Sequence, residues 1–214
     1  MMMQKDFINI LLDRRSHRKF LPDPVPKEDI EKIIYIATMS PSATNSQPWE
    51  YIAVYDNSLK EELANAVLKK LEFLASTLDK EKDTRQIKLI SKSSFYFIFF
   101  KEAPVVIFAI AKPYKSVMDF INEYFVEEDE PSFAYEASIQ SVSASILQLQ
   151  IAAHILGYGS CWMTAPNIAR KEMGKILGIQ EADRIVATIP LGKPAIKDLA
   201  APKRKSVNEV LRFM

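Results

Sequence analysis

The stretch "ASIQSVSASILQLQIAAHIL", Ala137 to Leu156, opens a run that reaches Ala169 without an Asp, Glu, Lys or Arg. Its length invites a membrane-spanning reading. Four serines, three glutamines and His154 make it a poor segment for the hydrocarbon core of a bilayer. Ile139, Val142, Ile146, Leu149 and Ala153 recur at helical spacing, and the serines and alanines permit close approach of another backbone. The stretch is read as a buried central helix. A helix uncharged nearly all round needs protein on most sides, and a second copy of the chain is one way to supply it.

Outward from this helix, helical and extended patterns alternate. Ile30, Ile33, Ile34 and Ala37 form an apolar stripe, and Glu28 and Asp29 near its start suit the positive end of a helix dipole. "EYIAVYD" (Glu50–Asp56) reads as a strand, and Ser58 with Glu61 resembles a capping box opening a charged helix that runs toward Leu78. Another helix is expected over Thr84–Phe100. "APVVIFAIA" (Ala103–Ala111) suits a strand buried on both faces. After the central helix, "GSCWMT" (Gly159–Thr164) is expected as a strand, Asn167 as the N-cap of a helix reaching Leu177, and "RIVATIPLG" (Arg184–Gly192) as another strand. The result is one domain over residues 1–214, a sheet flanked by helices. An acidic, aromatic insertion around 112–135 is either a lid or a surface excursion, and residues 200–214 form a C-terminal extension expected to pack on a partner subunit.

At 214 residues and 48% hydrophobic, the chain can bury one substantial core and is too apolar for disorder. Twenty-eight Lys and Arg nearly balance 27 Asp and Glu, so no global field favours nucleic acid or a membrane surface, and an anion site must be a local cluster. Cys161, the single cysteine, excludes an internal disulfide and a cysteine-rich zinc site and fits a reducing compartment. With nothing basic adjoining it in sequence, it reads as a small buried hydrophobe. "MMMQKDFINILLDRR" has no apolar core ending in a small-residue cleavage site, so a cytoplasmic location is expected. His17 and His154 lack acidic or cysteine neighbours at metal spacing. "GYGSCW" lacks the third glycine of a dinucleotide fingerprint, and neither a phosphate loop nor a nucleophile elbow is present.

Two motifs remain. "DRRSHRKF" gathers Arg14, Arg15, Arg18 and Lys19 around Ser16 and His17. Guanidinium groups make forked, charge-assisted bonds to phosphate and a serine hydroxyl adds another, while a solvated basic face is the alternative. "MSPSATNSQPW" (Met39–Trp49) is uncharged and rich in hydroxyl and amide groups. By itself it reads as a surface turn.

Taken in order, "RRSHRKF", "SPSATNSQPWEYIAV", the uncharged helix running into "LGYGSCWMTAP", then "IPLGKP" and "PKRKSVNEVL" resemble the FMN-dependent nitroreductase family over nearly the whole chain. The resemblance implies an α+β fold with a central mixed, mainly antiparallel sheet, and a homodimer with FMN at its interface. Arg14, Arg15, Ser16 and Arg18 would come from one subunit, and Pro41, Ser42, Ala43 and Asn45, with Gln47 nearby, from the other. Amides and hydroxyls would then hold the polar edge of a flavin whose faces are apolar. Thr164 and Ala165 match the stretch near the reactive N5 atom, where a backbone N–H makes the contact. Lys203 and Lys205 fall where the family places terminal basic residues on the phosphate, and Arg18 is assigned to the N1/O2 edge. A second basic residue that assists the flavin in relatives has no clear match in "SFYFIFFKEAP", where Lys101 is the weak candidate.

The implied activity is ping-pong hydride transfer through flavin N5, from NADH or NADPH to a nitroaromatic, quinone or related small-molecule acceptor. It uses no side-chain acid or base, no metal, no nucleic acid and no membrane. Relatives of this fold also carry out flavin fragmentation and reductive dehalogenation, and a flavin-binding protein with negligible turnover is a third reading. Phe120, Tyr124, Phe125 and Phe133 either line an acceptor pocket or simply pack.

Overall fold

The computed structural model describes residues 2–114, 133–196 and 199–214. Phe120, Tyr124 and Phe125 of the expected insertion lie outside the described residues, as does the side chain of Phe133. Helices α1 (Met2–Asp13) and α2 (Lys27–Ala37) precede strand β1 (Trp49–Val54); α3 (Asn57–Ser76) and α4 (Thr84–Ile98) lead to β2 (Val105–Ala111). The long α5 (Phe133–Ile155), β3 (Gly159–Ser160), α6 (Arg170–Leu177), β4 (Arg184–Gly192) and the short α7 (Val207–Val210) follow.

The strands form one sheet in the order β1-β2-β4-β3, and all three ladders are antiparallel. Among the described residues its parallel component is a single bridge between Ser16 and Ser160. All seven residues of β2 are buried. Alternation along a strand sends Val105, Ile107 and Ala109 to a core shared with α2 and α5, and Val106 and Phe108 to a second core under α3 and α6. The sheet is thus buried on both faces, the arrangement anticipated from the unbroken apolar run of β2.

Three local expectations are corrected. The cap of α3 is Asp56, whose Oδ1 accepts from the Leu59 N–H at 2.7 Å, so the helix starts before Ser58 and leaves the Ser58/Glu61 pair inside it. Asn167 does not cap a helix. It lies within a 3₁₀ turn (Ala165–Ala169), where its Nδ2 donates to the Val186 carbonyl at 2.9 Å, and α6 begins only at Arg170. The strand expected over Gly159–Thr164 shortens to Gly159–Ser160 with an isolated bridge from Met163 to Thr188, because Pro166 and the 3₁₀ turn carry the chain away from the sheet.

On α5, Val142, Ile146, Leu149 and Ala153 are buried as the helical spacing predicts, while Ile139 is half-buried. Among the described residues no helix is long and apolar enough to cross a membrane. Two of the α5 serines are satisfied by the helix itself: the Ser141 and Ser145 hydroxyls donate to the Ala137 and Val142 carbonyls, whereas the buried Ser138 hydroxyl has no partner among the described residues.

Candidate active site

Residues 14–21 run from the end of α1 across β3. The His17 N–H donates to the Ser160 carbonyl at 3.0 Å, the Leu21 N–H to the Lys193 carbonyl at 2.9 Å, and the Ala195 N–H to the Lys19 carbonyl at 3.1 Å. The basic segment is therefore fixed between β3 and the chain leaving β4. Arg15 closes the end of α1: its Nη1 donates to the Leu12 and Arg14 carbonyls at 2.5 and 3.0 Å, while its buried Nε has no partner among the described residues. Arg18 is exposed, with Nη1 3.4 Å from the Ser16 carbonyl. Among the described residues none of Arg14, Arg15 and Arg18 pairs with a carboxylate.

The uncharged loop lies at the end of α2. Ser42 is extended and its Oγ accepts from the Gln47 N–H at 3.0 Å; the Ala43 N–H donates to Ser141 Oγ on α5 at 3.3 Å. Thr44, Asn45 and Gln47 all have left-handed backbone, with φ of 49°, 56° and 47°. Such a conformation costs a non-glycine residue about 1 kcal/mol or more and persists only where surrounding contacts impose it. Here those contacts are Ser141, the Thr44–Tyr114 hydroxyl pair and the internal Ser42 bond. Pro41, Thr44, Asn45 and Gln47 are exposed, and Ser42 and Ala43 half-buried, so the loop offers its polar groups outward. Ser46 Oγ is buried with no partner among the described residues.

Thr164 is exposed and Ala165 half-buried at the start of the 3₁₀ turn. Ala165 is the first residue of that turn, so its N–H is a donor with no partner inside the turn. Lys203 and Lys205 are exposed. The terminal residue that reaches the basic segment electrostatically is Arg204: burial first, then the neighbouring charges of Arg15 and Arg204, lower the Arg14 pKa from its ordinary value. Cys161 is buried, and its surroundings differ from the sequence expectation. Burial raises the thiol pKa, while Arg18, a hydrogen bond with Ser16, and Arg14 act in the opposite direction. Tertiary structure has placed basic groups beside it that are distant in sequence.

The basic segment and the uncharged loop are both seated against α5, at different ends. Ala43 meets Ser141, whereas the charges of Arg14 and Arg15 act on His154. Thirteen residues of helix separate these positions, about 20 Å at 1.5 Å per residue. No hydrogen bond or ion pair among the described residues joins the two clusters. Two open grooves lie elsewhere: one of about 850 Å³ lined by Ser58, Lys70, Phe73 and Glu172, and one of about 530 Å³ lined by Arg170, Lys175, Glu181 and Arg184. Neither includes a residue of the two motifs.

The sequence profile of the nitroreductase family matches residues 11–193, a span that contains the basic segment, the uncharged loop and the Thr164–Ala165 turn. The chain belongs to the nitroreductase family. Its structure superimposes on a BluB-like flavoprotein from Clostridium difficile 630 with a TM-score of 0.81 and 29% identity, covering 99% of this chain and 98% of that one. An FMN-dependent nitroreductase from Clostridium difficile R20291 shares the fold at 23% identity and a TM-score of 0.66, covering 96% of this chain and 98% of that one. By sequence, an iodotyrosine deiodinase from Nematostella vectensis is 25% identical over 208 residues, 96% of this chain and 74% of its own length.

Within this nitroreductase fold, several residues that position the motifs escaped the sequence reading. Arg204 lies between Lys203 and Lys205 in the same basic run, and its charge is the one that acts on Arg14. Lys101 is paired with Glu61 at 2.9 Å, so the weak candidate for a second flavin-assisting base is engaged elsewhere. Lys112 joins Glu50 and the buried Asp183 at 2.6 and 2.7 Å, bracing the start of β1 and the start of β4 next to the uncharged loop. None of these contacts has a local sequence signature.

Proposed function

We propose that the chain is an NAD(P)H-dependent FMN oxidoreductase that acts as a homodimer on small nitroaromatic, quinone or related acceptors. Family membership across residues 11–193 carries this reading. When bound, FMN supplies the two-electron chemistry, taking hydride from NADH or NADPH and passing reducing equivalents to the acceptor in separate half-reactions.

The residues present fit such a group. Among the described residues Arg14, Arg18 and Arg204 pair with no carboxylate and so offer positive charge, as a phosphate monoester requires, and Arg15 Nε is a buried donor without a partner. The outward-facing loop from Pro41 to Gln47 supplies neutral donors and acceptors for a polar ring edge. The Ala165 N–H, unpartnered within its turn, suits the backbone contact near the ring. In this reading the chain's own residues bind, orient and exclude water, and no side chain serves as acid or base.

The separation of the two clusters along α5 supports a site shared between subunits. Leu147, midway between Ser141 and His154, is 48% exposed on a helix otherwise largely buried. Two antiparallel α5 helices crossing near Leu147 would set the Ser141 end of one beside the His154 end of the other, as two-fold symmetry requires. Exposed Phe7, Leu12, Val207 and Phe213 on α1 and the C-terminal arm supply further apolar surface for burial.

Purified protein is expected to release FMN on denaturation, and chromatography that finds FAD or no flavin after reconstitution refutes the cofactor. Steady-state oxidation of NADH and NADPH with menadione or a nitroarene tests the activity. A second reading keeps the fold and changes the acceptor chemistry. It is favoured by a relative named as a deiodinase. Slow turnover with both acceptors, together with reductive dehalogenation of a halogenated phenol, would select it.

A further inference from the structure

The uncharged loop leaves α2 through Ser40, which is 7% exposed. Both ends of one amide grip this exit. Gln148 Nε2 donates to the Ile36 carbonyl in the last turn of α2 at 2.8 Å, and Gln148 Oε1 accepts from Ser40 Oγ at 3.1 Å. Ser141, seven residues earlier and so on the same face of α5, accepts from the Ala43 N–H. The strained turn through Thr44 and Asn45 is thus tied to α5 at two points, before and within it.

A neutral carboxamide suits this task for a chemical reason. It is a side chain with a donor and an acceptor on one rigid plane, so a single group can satisfy a backbone carbonyl and a serine hydroxyl together. A carboxylate would face the Ile36 carbonyl and the negative end of α2 with no donor. An apolar side chain would leave the buried Ser40 hydroxyl without its acceptor.

We propose that Gln148 is a positioning residue for the FMN site: its carboxamide, bonded at once to Ile36 and Ser40, fixes where the chain leaves α2 and hence where Pro41 to Asn45 meet the flavin. The proposal rests on the FMN reading above. Gln148 touches no flavin-binding side chain named by that reading; it acts through the backbone, and it sits beside Leu147, so the same helix that would form the subunit contact also sets the loop.

The test is FMN titration of apoprotein, followed by flavin fluorescence, for wild type, Gln148→Leu, Gln148→Glu and Ser40→Ala, with visible circular dichroism of each saturated protein. Loss of a buried hydrogen bond should weaken FMN binding about tenfold in Gln148→Leu and Ser40→Ala. The double variant Gln148→Leu/Ser40→Ala should be no weaker than Gln148→Leu, since Gln148→Leu already breaks the bond that Ser40→Ala removes, and Gln148→Glu should not rescue. The visible dichroism of bound flavin should change in each single variant, a readout that a merely structural role would not move. Binding within twofold of wild type and an unaltered dichroism spectrum in folded Gln148→Leu would overturn the proposal. If Gln148→Leu does not fold, wild-type behaviour of Ser40→Ala overturns it. A wild-type protein that binds no FMN removes the functional reading and this inference together, whereas a wild type that binds FMN indistinguishably from the variants removes only the inference.

Discussion

The His17 ring lies against Gly159 so closely that a Cβ on Gly159 would stand 2.7 Å from His17 Cγ and 2.8 Å from His17 Cβ. These are atoms at the base of the side chain, which cannot swing away. Gly159→Ala is therefore expected to displace the basic segment or β3, costing about 1–3 kcal/mol. The Gly159→Ala Tm should fall by several degrees and FMN affinity with it, and adding His17→Ala should restore only part of either, because it removes the ring but keeps the His17 Cβ at 2.8 Å. A Gly159→Ala protein with wild-type Tm and affinity would show that the segment moves freely.

Acid should weaken the fold through the same neighbourhood. Burial, then His154, lowers the His17 pKa against a backbone bond with Ile196 that raises it; burial, then Arg14, lowers that of His154, with Asp13 acting to raise it and Arg15 to lower it. The unfolded chain has ordinary histidines, with pKa about 6.5. As pH falls through that value the unfolded chain takes up protons that the folded chain refuses, so stability present at neutral pH declines toward the lowered folded values. The Tm should drop between about pH 7.5 and pH 5.5, and His17→Gln should show a smaller drop. An equal drop in both proteins would place the titration elsewhere.

Arg18 and Arg14 should separate when the flavin is titrated electrochemically. A guanidinium at the pyrimidine edge favours the more negative reduced flavin, by about 1–4 kcal/mol at contact distance and toward the low end for so exposed a side chain. With about 30 mV per 1.4 kcal/mol for a two-electron couple, Arg18→Gln should lower the midpoint by tens of millivolts. Arg14→Gln should weaken FMN binding without moving the midpoint, because phosphate charge is the same in both redox states. A midpoint unchanged in Arg18→Gln would take Arg18 away from the ring edge.

A site divided between subunits predicts complementation. Arg14→Ala and Asn45→Ala homodimers should each bind FMN poorly. Mixed after unfolding and refolded together, they should form heterodimers in which one of the two sites is intact, and flavin binding should recover accordingly. Confirmed subunit exchange without recovery would place both residues in one protomer's site.

The sequence by itself determined the elements and the buried sheet. The helical spacing of Val142, Ile146 and Leu149 and the unbroken apolar run of β2 are local statements of how a side chain must avoid water, and the structure keeps them. It also marked the polar motifs, because clustered arginines and an uncharged hydroxyl-rich loop are unusual wherever they pack. Capping is not decided locally: Asp56 and Ser58 are chemically equivalent candidates and the chain path selects Asp56, while the Asn167 amide donates to the Val186 carbonyl instead of capping α6. Tertiary structure alone decided that the charge of Arg204 acts on Arg14, that the charges of Arg18 and Arg14 act on Cys161, that His17 closes on Gly159 and that Gln148 holds Ser40. The physical reason is range. Solvent avoidance acts residue by residue and leaves a period in the sequence, whereas a hydrogen bond depends on approach within a few ångströms of a group far along the chain, as Gln148 is from Ile36 and Ser40, and leaves none.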